Sequence, residues 1–440
     1  MRLRHRGGDL VHLAYCTNVH PAEDLHGILA QLDTYAVAVR DHLGADRLGI
    51  GLWLAHRVAA GLAADPDATL RLRAELTRRG LEVVTLNGFP YEGFHQPVVK
   101  HAVYRPDWSE RARPEHTANL ARVLALLLPD DVTTGSVSTL PFGWRTGWTG
   151  EHQDRARRHV DALGRELAEL RHRTGRTIKV AFEPEPGCVV ETTAQAVRHL
   201  QGTDPDHFGL CLDICHLAVA FEDPRTALAR LARAGIEVVK AQVSCALHAE
   251  TPADPEVRRA LGAFDEPRFL HQTRRAGTPA PGVDDLPEAL AGAGALGGAE
   301  ALAGAEALGG AEGLAGTEAL GGAEGLGGAE ALNSDAPWRS HFHIPVHADP
   351  APPLTSTRPV LQETLAALLA PDRPRTTHLE VETYTWSVLP EPPRDEKELA
   401  AGIAAELDWT RRELLALGLT EPTTETMPPD PTPHPIRSSS

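Results

Sequence analysis

IKVAFEPEPGCVVETTAQAVRHLQGTDPDHFGLCLDICHLAV, residues 178–219, contains two short apolar runs, 178–183 and 208–213, separated by a longer segment with helical character. A strand, a helix and a second strand in that order make a parallel pair with the helix packed over it. Working outward, comparable runs lie at 10–16, 47–54, 81–87 and 133–140 before this stretch, and at 236–243 and 376–382 after it. Helix signals separate them. Pro114 opens one helix before Leu120, Val123, Leu124 and Leu127, and Pro224 opens another that ends at Gly235. Residues 151–174 make a long amphipathic helix. Leu361, Leu365, Leu368 and Leu369 keep an apolar stripe ahead of the eighth run, and Leu399, Ile403, Leu407 and Leu414 do so in a final helix. Eight such units predict an α/β fold closed into a (β/α)8 TIM barrel, with an open doubly wound sheet as the alternative. No Gly-x-Gly-x-x-Gly follows the first strand, which weakens a dinucleotide-binding reading.

Composition agrees with a folded core: 42% of residues are hydrophobic and 23% charged. A formal net charge of -17 argues against a nucleic-acid partner. Five dispersed cysteines (16, 188, 211, 215 and 245), with no secretory signal ahead of them, predict reduced thiols in the cytoplasm. No stretch approaches the roughly 20 apolar residues of a membrane span, so the chain is not expected to be membrane-embedded. The expected organisation is one barrel domain over 1–419. Inside it, between the seventh and eighth strands, lies a low-complexity Gly/Ala/Glu/Leu insertion at 276–336. Within that insertion a six-residue unit repeats over 298–332, and its leucines make no continuous stripe on a 3.6-residue helix. A disordered tail is expected from 420 to 440.

Reactive groups in such barrels sit at the C-terminal ends of the strands. Period-2 alternation decides which side chains face the axis. With Val180 and Phe182 outward, Glu183 points in; with Leu210 and Leu212 outward, Asp213 does. Val239, Ala241 and Val243 outward leave Lys240 and Gln242 inward, and Leu379 and Val381 outward leave His378, Glu380 and Glu382 inward. Four adjacent strands therefore aim Glu183, Asp213, Gln242 and Glu382 at one place. Converging carboxylates repel one another and are costly to desolvate, so something positive must compensate. A divalent cation does so economically; a salt-bridge network through Lys240 or an arginine is the alternative. The oxygen-rich set favours Mn2+ or Mg2+, and an imidazole such as His216 joining it shifts the choice toward Zn2+ or Co2+.

The same rim carries Asn18, His20, Asn87, His95, Ser138 and Thr139, and much of the chain's small stock of aromatics, including Phe89, Phe94, Tyr384 and Trp386. Such clustering suits an apolar wall for an organic ligand, as it suits a plain hydrophobic lid. Past the repeat, RSHFHIP at 339–345 puts His341 and His343 on one side if extended, either reaching into the site or exposed on a loop. Cys211 and Cys215 read as buried structural thiols more than as zinc ligands.

These residues also carry a resemblance. Glu-Pro after the fifth strand, Leu-Asp-x-x-His at the sixth and a terminal Glu on the eighth resemble the xylose isomerase-like superfamily of barrels. More closely, the chain resembles the EboE family of metabolite-traffic proteins, through YCTNVHP (15–21), LNGFPYEGFH (86–95), STLPFGW (138–144), FEPEPGC (182–188), LCLDICHLAV (210–219), KAQVS (240–244), HFHIP (341–345) and HLEVETYTWSVLP (378–390). The resemblance implies a metal held by Glu183, Asp213, Gln242 and Glu382, with Glu183 and Glu382 doubling as acid/base groups and His216 touching substrate. Lys240, His95, Asn87, His341, His343 and Trp386 complete the expected substrate contacts. Gln242 departs from the histidine common at that position: an amide oxygen coordinates but cannot titrate. The family further implies a functional link to a prenyltransferase-like membrane protein in the handling of secondary-metabolite precursors. Three activities remain open: isomerisation or epimerisation of a polyhydroxylated or carbonyl small molecule, non-catalytic carriage of such a metabolite, and AP-endonuclease-like phosphodiester cleavage. The last would want more histidine ligands and a basic surface.

Overall fold

Eight parallel strands close on themselves in the computed structural model, which describes residues 1–277, 279–291 and 332–422. They are β1 (Leu10–Cys16), β2 (Leu48–Trp53), β3 (Leu81–Asn87), β4 (Thr134–Thr139), β5 (Thr177–Phe182), β6 (Phe208–Asp213), β7 (Val238–Val243) and β8 (His378–Val381). Hydrogen bonding runs from β1 through β8 and down to β2, and the β1–β2 pairing completes the barrel. The sequence-predicted strands coincide with these to within two residues at each end. Their side chains are buried on both faces, as a parallel sheet wrapped by helices requires. The repeat at 298–331 and the tail from 423 lie outside the described residues.

The helices stop where their sequence says. Gly150–Thr174 begins at Thr149, whose hydroxyl accepts from the His152 amide, and ends at Gly175 with a φ of 68°. Pro224–Arg233 starts under an Asp223 cap. Ala112–Leu127 starts two residues before the proline expected to open it. Among the described residues, no helix is long and apolar enough to cross a membrane. All five cysteines are unpaired and buried.

The barrel interior is unusually polar. Ser136 Oγ donates to Thr85 Oγ1 (2.8 Å) and lies 2.8 Å from His378 Nδ1. One layer nearer the mouth, Lys240 pairs with Glu380, both without solvent exposure, and Lys240 Nζ also donates to Ser138 Oγ (3.3 Å). Gly51 on β2 makes room for this pair: a Cβ there would lie 1.2 Å from Glu380 Oε1.

Between β7 and β8 the chain builds a structure that strand counting did not anticipate. Five short antiparallel strands, in the order Gly282–Val283, Thr273–Arg275, Trp338–His343, Ala246–Ala249 and Thr355–Ser356, form a second sheet. Its register shifts between Ser340 and His343, an irregularity of the kind that re-aims side chains beside functional sites. The sheet lies across the barrel mouth, bringing His341 onto His216 and His343 onto the segment after β8.

Candidate functional site

Strand register does the first part of the assembly. Asp213 on β6 pairs with Gln242 on β7, and Gln242 with Glu380 on β8. Glu183 and Glu382 stand one residue past β5 and β8, their amides held by the carbonyls of Thr139 (3.0 Å) and Val243 (3.2 Å). An oxygen from each of Glu183, Asp213 and Glu382 lies within 4.8 Å of the others, and all three side chains are buried. The strand ends thus bring the three carboxylates to one place.

Two of the carboxylates, Asp213 and Glu382, are fixed through one oxygen. Asp213 Oδ1 caps the helix Ile214–Val219 by accepting from the His216 amide (3.0 Å), and it also accepts from Ser244 Oγ (2.8 Å). Its Oδ2 is buried with no hydrogen-bond partner. Glu382 Oε1 accepts from Asn18 Nδ2 (2.6 Å) and Asn87 Nδ2 (3.1 Å). Glu183 Oε2, both amide atoms of Gln242 and His343 Nε2 are buried without partners as well. His343 presents Nε2 inward because its Nδ1 donates to the Glu382 carbonyl (2.8 Å), and Nε2 stands 3.9 Å from Asp213 Oδ2.

Electrostatics follow from this packing. Burial, then the charges of Glu382 and Asp213, push Glu183 well above the ordinary carboxylate range. Burial, then Asp213 and Glu380, do the same to Glu382 against the opposing pull of Lys240 and Asn18. Burial raises Glu185 to about 7, and burial lowers His343 to about 4. Lys240 is committed to Glu380 one layer deeper and makes no ion pair with these three carboxylates. Buried acceptors without donors, converging from four strand ends and the covering sheet, fit a divalent cation of mixed oxygen and nitrogen preference. Glu183, Asp213, Gln242, Glu382 and His343 are the residues that would hold it.

A cleft of about 500 Å³, counted with its open mouth, leads to these groups. Phe89, Phe94, Val103, Phe269 and Leu270 form its apolar wall. Asn18, Asn87, Glu183, Glu382, His216, His341 and His343 line it, so most of the expected contacts meet in one place. Three do not reach it as expected. Lys240 lies beneath the floor with Glu380. His95 donates from Nε2 to the Asn18 carbonyl (2.6 Å), supporting Asn18 from behind. Trp386 turns outward, its Nε1 donating to Glu406 Oε2 (3.1 Å) because that buried carboxylate needs a donor.

Sequence reasoning missed Glu185, Tyr104 and Gln272. Tyr104 donates its hydroxyl hydrogen to Glu185 Oε1 (2.8 Å), and Gln272 reaches in from the covering sheet. Only Glu185 had a signal, as the second acid of the Glu-Pro-Glu-Pro stretch.

A barrel with carboxylates gathered at its C-terminal mouth defines a class, the TIM barrels with a strand-end polar site. Residues 38–262, just over half of the chain, match the family described as xylose isomerase-like TIM barrel. The chain belongs to that family. No curated protein matches it. Among solved structures it is similar to a xylose isomerase-like TIM barrel protein from Mycobacterium smegmatis in complex with magnesium, at 15% identity over 55% of this chain and 78% of that one, with a TM-score of 0.39. It is similar also to 3-keto-D-glucoside 4-epimerase from E. coli (15% identity, 53% and 79% covered, TM-score 0.35). A third is D-allulose 3-epimerase from Methylomonas sp. (14% identity, 55% and 74% covered, TM-score 0.35).

Proposed function

We propose that this protein is a metal-dependent isomerase or epimerase acting on a polyhydroxylated or carbonyl small molecule, with Glu183 and Glu382 as its proton-moving groups. The observation that carries this reading is the set of partnerless buried acceptors on Glu183, Asp213, Gln242 and His343, gathered at the end of a cleft with an apolar wall. A cation bound there supplies Lewis-acid polarisation of a hydroxyl–carbonyl pair and favours the ionised form of the carboxylates. The oxygen-rich donor set makes Mg2+ or Mn2+ the first candidates, with Zn2+ or Co2+ favoured by the nearby imidazole.

The chain's own residues divide the remaining work. Asn18 and Asn87 hold Glu382 Oε1, leaving its other oxygen for the substrate side. Glu183 Oε2, opposite, has no donor and is free to take a proton from a carbon next to a carbonyl. The apolar wall flanks the substrate, and the histidines of the covering sheet line the cleft beside it.

Motifs such as LNGFPYEGFH and HLEVETYTW support an EboE-like place in metabolite traffic, with a cytoplasmic site and a functional link to a prenyltransferase-like membrane protein. The unpaired cysteines agree with a reducing compartment. Gln242 favours a second reading, a metabolite carrier that keeps the pocket without turnover, because its amide cannot titrate. Phosphodiester cleavage gains imidazoles from His216, His341 and His343. Among the described lining residues, however, the cation is Lys100, which is spent on Asp285.

The deciding experiment follows solvent deuterium into a panel of sugars, polyols and hydroxyketones by NMR. Catalysis predicts exchange that Glu382→Gln abolishes; saturable binding with no exchange assigns the carrier role instead.

A further inference from the structure

One side of the cleft is apolar down to its main chain. Phe89, Pro90, Phe94, Val103, Phe269 and Leu270 line it. The carbonyls of Gly88 and Phe89 could accept from a ligand hydroxyl, but Arg113 Nη1 donates to both (2.9 Å each) from the helix behind. Trp53 Nε1 takes the Pro90 carbonyl in the same way (3.0 Å). Arg113 is fully buried, and its Nε donates to the Pro106 carbonyl (2.8 Å). Burying a guanidinium on main-chain carbonyls is expensive, and here it removes acceptors from the wall.

The polar side chains on this side are engaged as well. Lys100 pairs with Asp285. Tyr104 donates to Glu185 Oε1 (2.8 Å) and accepts from Gln272 Nε2 (2.8 Å). The rings also hold one another in place. Phe94 packs on Trp53, Phe269 and Tyr384, with ring centroids 6.1, 5.3 and 5.7 Å away, and Phe269 meets Tyr384 at 4.9 Å.

The carboxylate end differs in kind: Glu183 Oε2, Asn18 Oδ1 and His343 Nε2 are buried there without partners. A polyol laid along the cleft would pair its hydroxyls at that end and strand the rest against the wall. A stranded hydroxyl gives up water and gains nothing in return. An aliphatic or aromatic group in its place gains by burial.

We infer that the substrate is amphipathic: a hydroxyketone or hydroxyaldehyde head at the carboxylate end, carrying an aliphatic or aromatic group along the wall where a sugar would carry further hydroxyls. The head rests on the isomerase reading above; the apolar group rests on the wall alone.

The test compares two open-chain compounds with the same dihydroxyketone head, L-erythrulose and 1,3-dihydroxy-4-phenylbutan-2-one, on the full-length protein with Mg2+. Calorimetry reads binding, and NMR reads solvent-deuterium exchange. The phenyl compound should bind at least about tenfold more tightly and, if turned over, show a kcat/KM higher by a similar factor. Phe94→Asn and Val103→Thr, which put polar atoms into the wall, should each narrow that ratio. Equal or tighter binding of L-erythrulose overturns the inference, as does no binding of the phenyl compound, or a ratio unchanged in both variants. Should Phe94→Asn fail to fold, the wild-type ratio and Val103→Thr decide alone. Tighter binding of the phenyl compound without exchange of either would uphold the amphipathic ligand and sink the isomerase. Exchange with L-erythrulose preferred would do the reverse.

Discussion

Lys240 Nζ meets the Glu380 carboxylate inside the barrel, one layer below Glu183, Asp213 and Glu382, with both partners sealed from solvent. Burial alone would drive the ammonium down, yet the Glu380 carboxylate more than offsets it and holds Lys240 above its ordinary range. The pairing keeps the one barrel-axis lysine away from the mouth. It explains why the upper carboxylates are left needing a cation from outside the chain.

Breaking that pair should be costly. Lys240→Met leaves Glu380 buried and uncompensated, a situation that typically destabilises by about 3–5 kcal/mol. Urea denaturation should show the loss, and Lys240→Met with Glu380→Leu should recover most of it. A single mutant within ~1 kcal/mol of wild type would mean the charge is compensated some other way.

Gly51→Ala should displace Glu380 and cost at least the ~1–3 kcal/mol of an overpacked core, since the new Cβ would overlap the carboxylate. Gly61→Ala is the control. It lies on the exposed face of the helix His56–Ala64 with nothing within 4 Å of the added carbon, and should stabilise by up to ~1 kcal/mol. Thermal melts of the two should move in opposite directions.

Glu406 gives a pH dependence of defined sign. Burial raises it from 4.5 to about 7, against the hydrogen bonds it accepts from Thr383, the Val346 amide and Trp386. The folded state therefore binds a proton that the unfolded state has released. Stability from this group is full below pH 4.5 and is lost as the pH rises toward about 7, by roughly 3 kcal/mol. Glu406→Gln should flatten that part of the stability–pH profile measured in metal-free protein; an unchanged slope would assign it to other groups.

Ser244→Ala should weaken metal binding without removing a ligand. The Ser244 hydroxyl donates to Asp213 Oδ1 (2.8 Å) and accepts from the Cys215 amide (2.9 Å), fixing which oxygen of Asp213 faces the site. Loss of such an orienting contact typically costs 10–100-fold in affinity. Chelator competition measures it, and an unchanged Kd would show that the helix cap on Asp213 suffices.

Much of the barrel was legible because its signals are local. Apolar runs at 178–183 and 208–213, with a helix between, carry strand, crossover and strand in adjacent residues. Alternation alone turned Glu183, Asp213, Gln242 and Glu382 to the axis, because a strand's period of 2 needs no knowledge of its neighbours. Lys240 shows the limit. Alternation placed it inward, but whether it faced Glu380 or the upper carboxylates depended on the stagger between β7 and β8, which no single strand encodes. Trp386 failed differently: lying close to the mouth in sequence, it was drawn outward by Glu406 of the final helix.

The amino-acid sequence by itself determined the eight-unit barrel and the inward direction of its strand-end acids, since both follow from short-range periodicity. Only the tertiary structure decided that a second sheet folds over the mouth and delivers His341 and His343. It also paired Lys240 with Glu380 and turned the imidazoles of His216 and His341 toward each other. Those outcomes depend on carbonyls and carboxylates brought together from distant parts of the chain, where packing rather than local propensity chooses the partner.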